Sequence, residues 1–484
     1  MWGIDEEGRR VLIIDSSFQP YFYAVLEENE EPKQVYERIM NENTRLPLIV
    51  DVKINRRRFF GEPVNVARIY CQDPDVIPKY AKVIRSLKGV KECLETDIRY
   101  SMRYLIDNDV TPCAWHEVNV EEKGISGVQV DETYSACSPP RRIQKETLPN
   151  LRVLSFFLVC YASKGSPKPE RDPVVIISIV TNTGEKKIFT ARNHDDKELM
   201  NSFIQYVKKF DPDIIVGYQT NQQHWQYLID RAMTLEIKLH VDRAGTWPHR
   251  SVYGHISITG RAAMDMFDFA DELPELKVKS LENMAAILGV KNLKEQIIID
   301  ELEYSDFWDD ENKRKKLLDF ASEKAKCILG IFEKMFIYAS ELSKLVGLPL
   351  DHIGKAAVGF RIEWYLIREA YRIGELIPER TEQPYVPYVG GMVLKPKPGI
   401  HENISVLDFK SMYPNIMIEK NVSPDTYVPP SNPEPDSGVN VAPEVGHKFR
   451  REPPGFYKRI LTQLISAREE IRRAMRKVDP HSLE

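Results

Sequence analysis

Short apolar runs and longer periodic ones alternate along this chain. Near the N-terminus RRVLIID and PYFYAVL have the branched and aromatic content of strands, and DVIPKYAKVIRSL repeats its apolar positions at helical spacing. From residue 151 three strand-like runs follow in succession: LRVLSFFLVCYA, DPVVIISIV and EKKIFTA. Next comes KELMNSFIQYVKKF, whose Leu199, Phe203, Ile204, Val207 and Phe210 share one helical face, and then the short strand DPDIIVGY. This β-β-β-α-β order predicts an RNase H-like α/β sheet. TYSACSPPRRIQKETLPN (133–150) is polar and proline-rich and reads as a connector. Residues 312–374 read as mostly helical, TEQPYVPYVGG (381–391) as a turn-rich entrance to a further domain, SNPEPDSG (431–438) as a loop, and 456–478 as a charged amphipathic helix.

At 484 residues the chain exceeds one hydrophobic core, so about three domains are expected. Its 42% apolar and 29% charged residues are ordinary for a globular protein. The net charge of -5 gives no global basic signature, which argues only weakly against nucleic acid, since a large enzyme needs a basic groove rather than a basic average. Cys71, Cys93, Cys113, Cys137, Cys160 and Cys327 form no C-x-x-C pair, so neither a cysteine zinc site nor a disulfide framework is expected. A reducing, cytoplasmic setting fits that usage. The first residues lack the apolar core of a secretion signal, and the longest apolar stretch, Val153 to Ala162, is too short to span a bilayer; no membrane association is expected.

The most informative stretch is ISVLDFKSMYPNIMIEKNVSPDTY. A buried strand, Ile404 to Leu407, is predicted to end at Asp408, with a turn at Lys410 and Ser411 leading into a helix. A carboxylate there suits Mg²⁺, and free amides at a helix start suit phosphate oxygens. An isolated Asp before a turn is more often a cap. Here, however, the whole string D-x-x-S-M-Y-P resembles motif A of B-family DNA polymerases, and NVSPDT (421–426) continues the match. PYVGGMV resembles the Tyr-x-Gly-Gly element of that family, and VAPEVGHKFRREPPGF its palm-to-fingers passage. FGEPVNVARIY, TDIRYSMRYLID and KLVGLPLDHIGKAAVGFRIEWYLIREA are similar to archaeal members in their N-terminal and helical regions. The resemblance runs in the family's order over essentially the whole chain, which is thus identified as archaeal-type family B.

That resemblance implies an α/β multidomain fold: an N-terminal α+β domain (1–132), an RNase H-like 3′-5′ exonuclease-type domain (133–330), a helical segment packing on the N-terminal domain (331–380), a partial palm with motif A (381–455) and the first fingers helix (456–484). It implies that Asp408 is catalytic and one of two palm carboxylates holding Mg²⁺ in a two-ion site, with the Phe409 carbonyl a further ligand. Ser411 and Met412 would offer amides to a triphosphate, and Tyr413 would exclude a ribose 2′-OH. Tyr388, Gly390 and Gly391 would touch template DNA. Arg468 stands amid the stripe Leu464, Ile471 and Met475, where a guanidinium must snorkel or meet an anion; the family places a triphosphate-binding Arg on this helix. Primer-template DNA and dNTP are the implied partners, with a sliding clamp a further candidate.

Where active members carry exonuclease carboxylates, this chain has Phe157 and Val159 in the first motif, His224 in the second and Lys324, four residues after Phe320, in the third. Hydrolysis by two cations about 4 Å apart needs several hard oxygen ligands. Phe and Val offer none, Lys adds positive charge and His is a poor Mg²⁺ ligand, so a folded but inactive domain is expected. The chain ends at HSLE, before the family's palm Asp-Thr-Asp motif, so nucleotidyl transfer is expected to need a C-terminal part or second subunit. In the family's template-uracil pocket, Phe18, Pro20, Tyr21, Tyr100 and Arg103 match, while Lys88, Lys91 and Arg99 replace apolar residues; specific uracil capture is not expected. Two readings stand: part of a DNA-directed DNA polymerase, inactive alone, or a non-catalytic DNA-binding or replication-scaffold paralogue.

Overall fold

A computed structural model describes the chain except residues 43, 146, 163, 381–389, 432–433 and 479–484. It divides into two compact units, each assembled from two stretches of sequence: Met1–Phe18 with Tyr104–Tyr365, and Gln19–Arg103 with Leu366–Glu484.

The first unit is built on a five-stranded sheet. Its strands are β1 (Val153–Cys160), β2 (Val174–Thr181), β3 (Lys186–Thr190), β4 (Ile214–Gly217) and β5 (Ala262–Asp265), in the spatial order β3-β2-β1-β4-β5. The first three pair antiparallel, whereas β4 lies parallel to β1 and β5 parallel to β4. This is the RNase H-like order that the apolar runs predict. All eight residues of β2 are buried, as expected of a strand covered on both faces. Helix α1 (Lys197–Phe210) buries Leu199, Met200, Phe203, Ile204 and Val207. Between β4 and β5 lies α2 (Trp225–Thr234). The long α3 (Glu311–Val346) packs across β1 and β2, starting at an Asp310 side chain that accepts from the Asn312 amide and ending at Gly347, whose φ of 84° terminates the helix. Ser155 ties sheet to helix, since its hydroxyl lies 2.8 Å from the Ala325 carbonyl. A short α4 (Leu350–Ile353) follows.

A smaller sheet corrects one expectation. Glu132–Ala136, overlapping the start of the stretch read as connector, is a strand lying parallel to Arg10–Ile14. Thr133 and Tyr134 favour strands and find an edge to join, so tertiary pairing overrides a polar local signal. Next to this sheet, five charged side chains are buried together. Arg10 and Arg243 each lie 2.8 Å from Asp213; Arg243 is 3.0 Å and Arg261 2.7 Å from Asp211. Burial opposes ionisation of Asp213, but bonds from Arg10, the Arg152 amide and Arg243 hold its carboxyl below the usual range.

In the second unit Ile49–Phe59, Glu62–Cys71, Tyr21–Leu26 and Val90–Leu94 form an antiparallel sheet in that order, with the helices Pro32–Asn41 and Ile77–Arg85 sharing its core. Tyr21 and Arg103, which match the family's uracil pocket above, are both buried, and Arg103 reaches Glu95 at 2.6 Å and the Tyr21 hydroxyl at 3.2 Å. Two later helices follow: α5 (Met412–Glu419) and α6 (Phe456–Met475). The buried strand expected at 404–407 is not formed. Ile404, Val406 and Leu407 are 66%, 90% and 93% exposed, and no described strand pairs with them. A strand needs a neighbour to bond to, and these apolar residues have none here.

Replacing Asp213 by Ala strands two buried guanidinium groups, and we expect a stability loss of about 3–5 kcal/mol in urea unfolding. Asp213→Asn, which keeps the shape and some hydrogen bonds, should cost less; a loss near zero in the Ala variant would show that the cluster contributes nothing.

Candidate functional site

In the exonuclease-type domain, alternation along β1 sends Phe156 and Leu158 to one face of the sheet and Phe157 and Val159 to the other. Phe156 meets Phe203 of α1 and Trp225 of α2. Phe157 stacks edge-on against His224 at 5.9 Å and Phe320 at 5.7 Å, and Phe320 in turn meets Tyr304. Val159 is fully buried. An aromatic cluster thus gathers residues at the positions expected, from the sequence, to have lost exonuclease carboxylates.

The other two substituted positions are also consumed by packing. His224 is half-buried as a residue, but its Nδ1 is shut off from solvent with no hydrogen-bond partner among the described residues. Burial pushes its pKa down to about 4, so the ring is neutral at pH 7. Lys324 is 1% exposed and its ammonium lies 2.7 Å from Glu282, off the line of a proper hydrogen bond. Burial works against the Glu282 carboxylate, yet Lys324 holds its pKa below the ordinary value. The charge of Lys324 is therefore matched rather than left facing a cleft. Glu282 was not legible in the sequence, because it approaches from a segment 42 residues earlier. At the end of β5, Asp265 accepts from the Asn221 and Phe267 amides at 2.8 Å and 3.1 Å, and burial, then the charge of Asp268, raises its pKa to about 7. An apolar strand, a neutral imidazole and an ammonium do not fit a pair of hard cations, and no hydrolytic step follows from them.

The motif A region is open by contrast. Asp408 is exposed, and no ion pair or hydrogen bond engages its carboxylate among the described residues. Phe409 is 81% exposed. Ser411, at φ 50°, turns the chain into α5, so the Met412 and Tyr413 amides begin the helix with no acceptor one turn back, and Pro414 has no amide to satisfy. Tyr413 is 73% exposed. Lys410 pairs with Glu469 of α6, which brings the motif A turn beside the segment bearing Arg468, itself exposed. Ile471 and Met475 of the same stripe are also exposed. Gly390 and Gly391 are exposed, outside any strand or helix; Tyr388 lies outside the described residues. One free carboxylate, one carbonyl and helix-start amides are hard donors of the kind Mg²⁺ and phosphate take, so this site fits such a group in part.

Sequence reading missed what NVSPDT does. Asn421 is a buried hub: its Oδ1 accepts from the Gly455 amide at 2.8 Å, and its Nδ2 donates to the Arg450 and Pro453 carbonyls at 2.8 Å and 3.0 Å. The Asp425 carboxylate accepts from the Phe456 amide at 3.0 Å, and the Ser423 hydroxyl from the Tyr457 amide at 3.1 Å. Three consecutive amides at the start of α6 are thus satisfied by one hexapeptide, with a carboxylate at the positive end of the helix. A Cβ on Gly455 would stand 2.7 Å from that of Ser423 and 2.8 Å from Thr426 Cγ2, so only glycine fits. Asn, Ser, Asp and Thr are the usual capping residues, and that was the available signal.

The family profiles "DNA polymerase family B, exonuclease domain" and "DNA polymerase family B" match residues 92–284 and 349–483. The chain belongs to the family B DNA polymerases. It is 40% identical to DNA polymerase 2 of Aeropyrum pernix, over 100% of this chain and 61% of that protein. Against the DNA polymerase of Archaeoglobus fulgidus it is 34% identical, over 100% of this chain and 59% of that one. The solved family B DNA polymerase of Pyrobaculum calidifontis superposes with a TM-score of 0.88 at 41% identity, covering 100% of this chain and 62% of that one. The chain thus spans about three fifths of the relatives it matches. No described helix is long and apolar enough to cross a membrane.

Two measurements check these assignments. Because His224 is neutral in the fold down to about pH 4 and ordinary once unfolded, its contribution to stability is complete above about pH 6.5 and is lost as pH falls toward 4. His224→Gln should therefore flatten the decline of Tm across that window; an unaltered slope would refute the buried neutral ring. Asn421→Ala leaves buried carbonyls and an amide unsatisfied and should cost about 1–3 kcal/mol per stranded group in urea unfolding; a neutral variant would remove the hub.

Proposed function

We propose that this chain is the larger, N-terminal share of a DNA-directed DNA polymerase that binds primer-template DNA and dNTP, with a proofreading domain retained for shape alone. The observation that carries the reading is the contrast between two sites. Four exonuclease carboxylate positions are filled by Phe157, Val159, His224 and Lys324, while Asp408, Tyr413 and Arg468 remain exposed around a turn that Lys410 and Glu469 hold to α6.

In this reading Asp408 and the Phe409 carbonyl hold Mg²⁺, which when bound neutralises charge on the phosphates. The Ser411 and Met412 amides hold phosphate oxygens, Arg468 pairs with the triphosphate, the Tyr413 ring closes the space a 2′-OH would need, and Tyr388, Gly390 and Gly391 line the template path. The second palm carboxylate comes from residues outside these 484, on the same or another polypeptide. Residues 1–132, 133–330, 331–380, 381–455 and 456–484 then serve as N-terminal, exonuclease-type, helical, palm and first fingers segments, in a cytoplasmic enzyme. The filled exonuclease site favours a second reading, a DNA-binding scaffold without catalysis.

Primer extension with Mg²⁺ and dNTP separates the two. We expect none from this chain alone, and extension once a polypeptide carrying the second palm carboxylate is supplied. Asp408→Ala should then lower the rate at least about 100-fold, the scale set by losing one electrostatic contact to the transition state. Extension that survives Asp408→Ala removes the metal assignment, and failure under every supplement leaves the scaffold. A 3′ single strand should persist with any divalent metal, and DNA affinity should fall with salt as phosphate contacts displace counterions.

A further inference from the structure

A second constellation of metal-ligating side chains lies in the first unit, apart from the positions discussed above. A two-stranded hairpin, His249–Arg250 with Ile256–Ser257, precedes β5. His255 stands at its base and is fully buried. Its Nδ1 is 2.9 Å from the Ser251 hydroxyl, while its Nε2 is shut off from solvent and has no hydrogen-bond partner among the described residues. Opposite is α4, which contributes Asp351 and His352. The Asp351 carboxylate comes to 3.6 Å from His255 Nε2 and 3.9 Å from His352 Nε2, and the two imidazole centroids are 4.3 Å apart. One ligand atom from each of the three residues falls within 4.8 Å of the others.

The separation between Nε2 and the carboxylate decides what belongs there. A charge-assisted hydrogen bond between them would close to about 2.7–2.9 Å. Two ligands of one tetrahedral zinc ion, each about 2.0–2.1 Å from it, stand roughly 3.3 Å apart. The observed 3.6 Å is too long for the first and close to the second. With Nδ1 engaged by Ser251, the imidazole is oriented as metal-bound histidines are, by a hydrogen bond on the nitrogen away from the ion. The next carboxylate, Asp268, is already engaged by Lys355 at 3.5 Å and by Asn221 at 2.8 Å, and does not count as a ligand.

We propose that His255, Asp351 and His352 bind one divalent transition-metal ion of the zinc class, with a fourth position left to water. Imidazole and carboxylate donors in this number select zinc-like ions over Mg²⁺. The missing C-x-x-C pairs argue only against cysteine ligation. Bound metal pins the hairpin before β5 to the helix after α3, so its effect is on stability rather than on nucleotide chemistry.

The test uses the full chain stripped with chelator. Equilibrium dialysis with elemental analysis should find one Zn²⁺ per chain, Co²⁺ should give the visible spectrum of a four-coordinate ion, and either metal should raise Tm. His352→Gln and Asp351→Asn, both on a partly exposed helix, should each weaken uptake at least about 10-fold with far-ultraviolet circular dichroism unchanged; His255→Gln should abolish it. Asp408→Ala should leave zinc uptake unaltered. Equal uptake by the wild type and His352→Gln, uptake that disappears with Asp408→Ala, or no uptake by the wild type overturns the proposal.

Discussion

A charge removed from water has to be met by its opposite, and both units of this chain are organised around that requirement. Burying an unmatched ion costs several kcal/mol, comparable with much of a domain's net stability. Asp211 and Asp213 therefore collect three guanidinium groups beside the RNase H-like sheet, Asp196 takes Arg231 at 2.7 Å, and Glu95 takes Arg103. The same rule explains how Lys324 is tolerated in an exonuclease-type core: Glu282 comes with it.

Side chains that would be costly or idle in a cation site keep the domain folded here because each is packed or paired. Phe157 and Phe320 are packed, His224 is kept neutral by burial, and Lys324 is paired. Motif A shows no such packing. Asp408 and Tyr413 remain in solvent, and the buried Asn421 and Ser423 are among the residues that hold the following helix.

Much of the fold was legible in the amino-acid order. The β-β-β-α-β run of the exonuclease-type sheet announced itself through branched apolar strands and the periodic face of Leu199, Phe203 and Val207, because local preference and burial agree there. Legibility failed where tertiary partners decide. Thr133 and Tyr134 became strand only because Arg10–Ile14 lay beside them, and Ile404 to Leu407 did not, for want of an edge. At the sites, Glu282 could not be read, since nothing in its own segment marks it as the counterion of Lys324. NVSPDT was recognised as a family string and its mechanical task overlooked, although its composition is that of a helix cap.

That cap has a consequence for motion. Because Asn421, Ser423 and Asp425 hold the amides of Gly455, Phe456 and Tyr457, the base of α6 and the end of the motif A helix form a single hinge block. Any swing of α6 must pivot beyond Tyr457 or bend the helix along its length. Arg468, three turns further on, then travels on a lever whose fulcrum is fixed to the hexapeptide that follows the Asp408 turn, so one rigid corner sets the spacing between the two side chains.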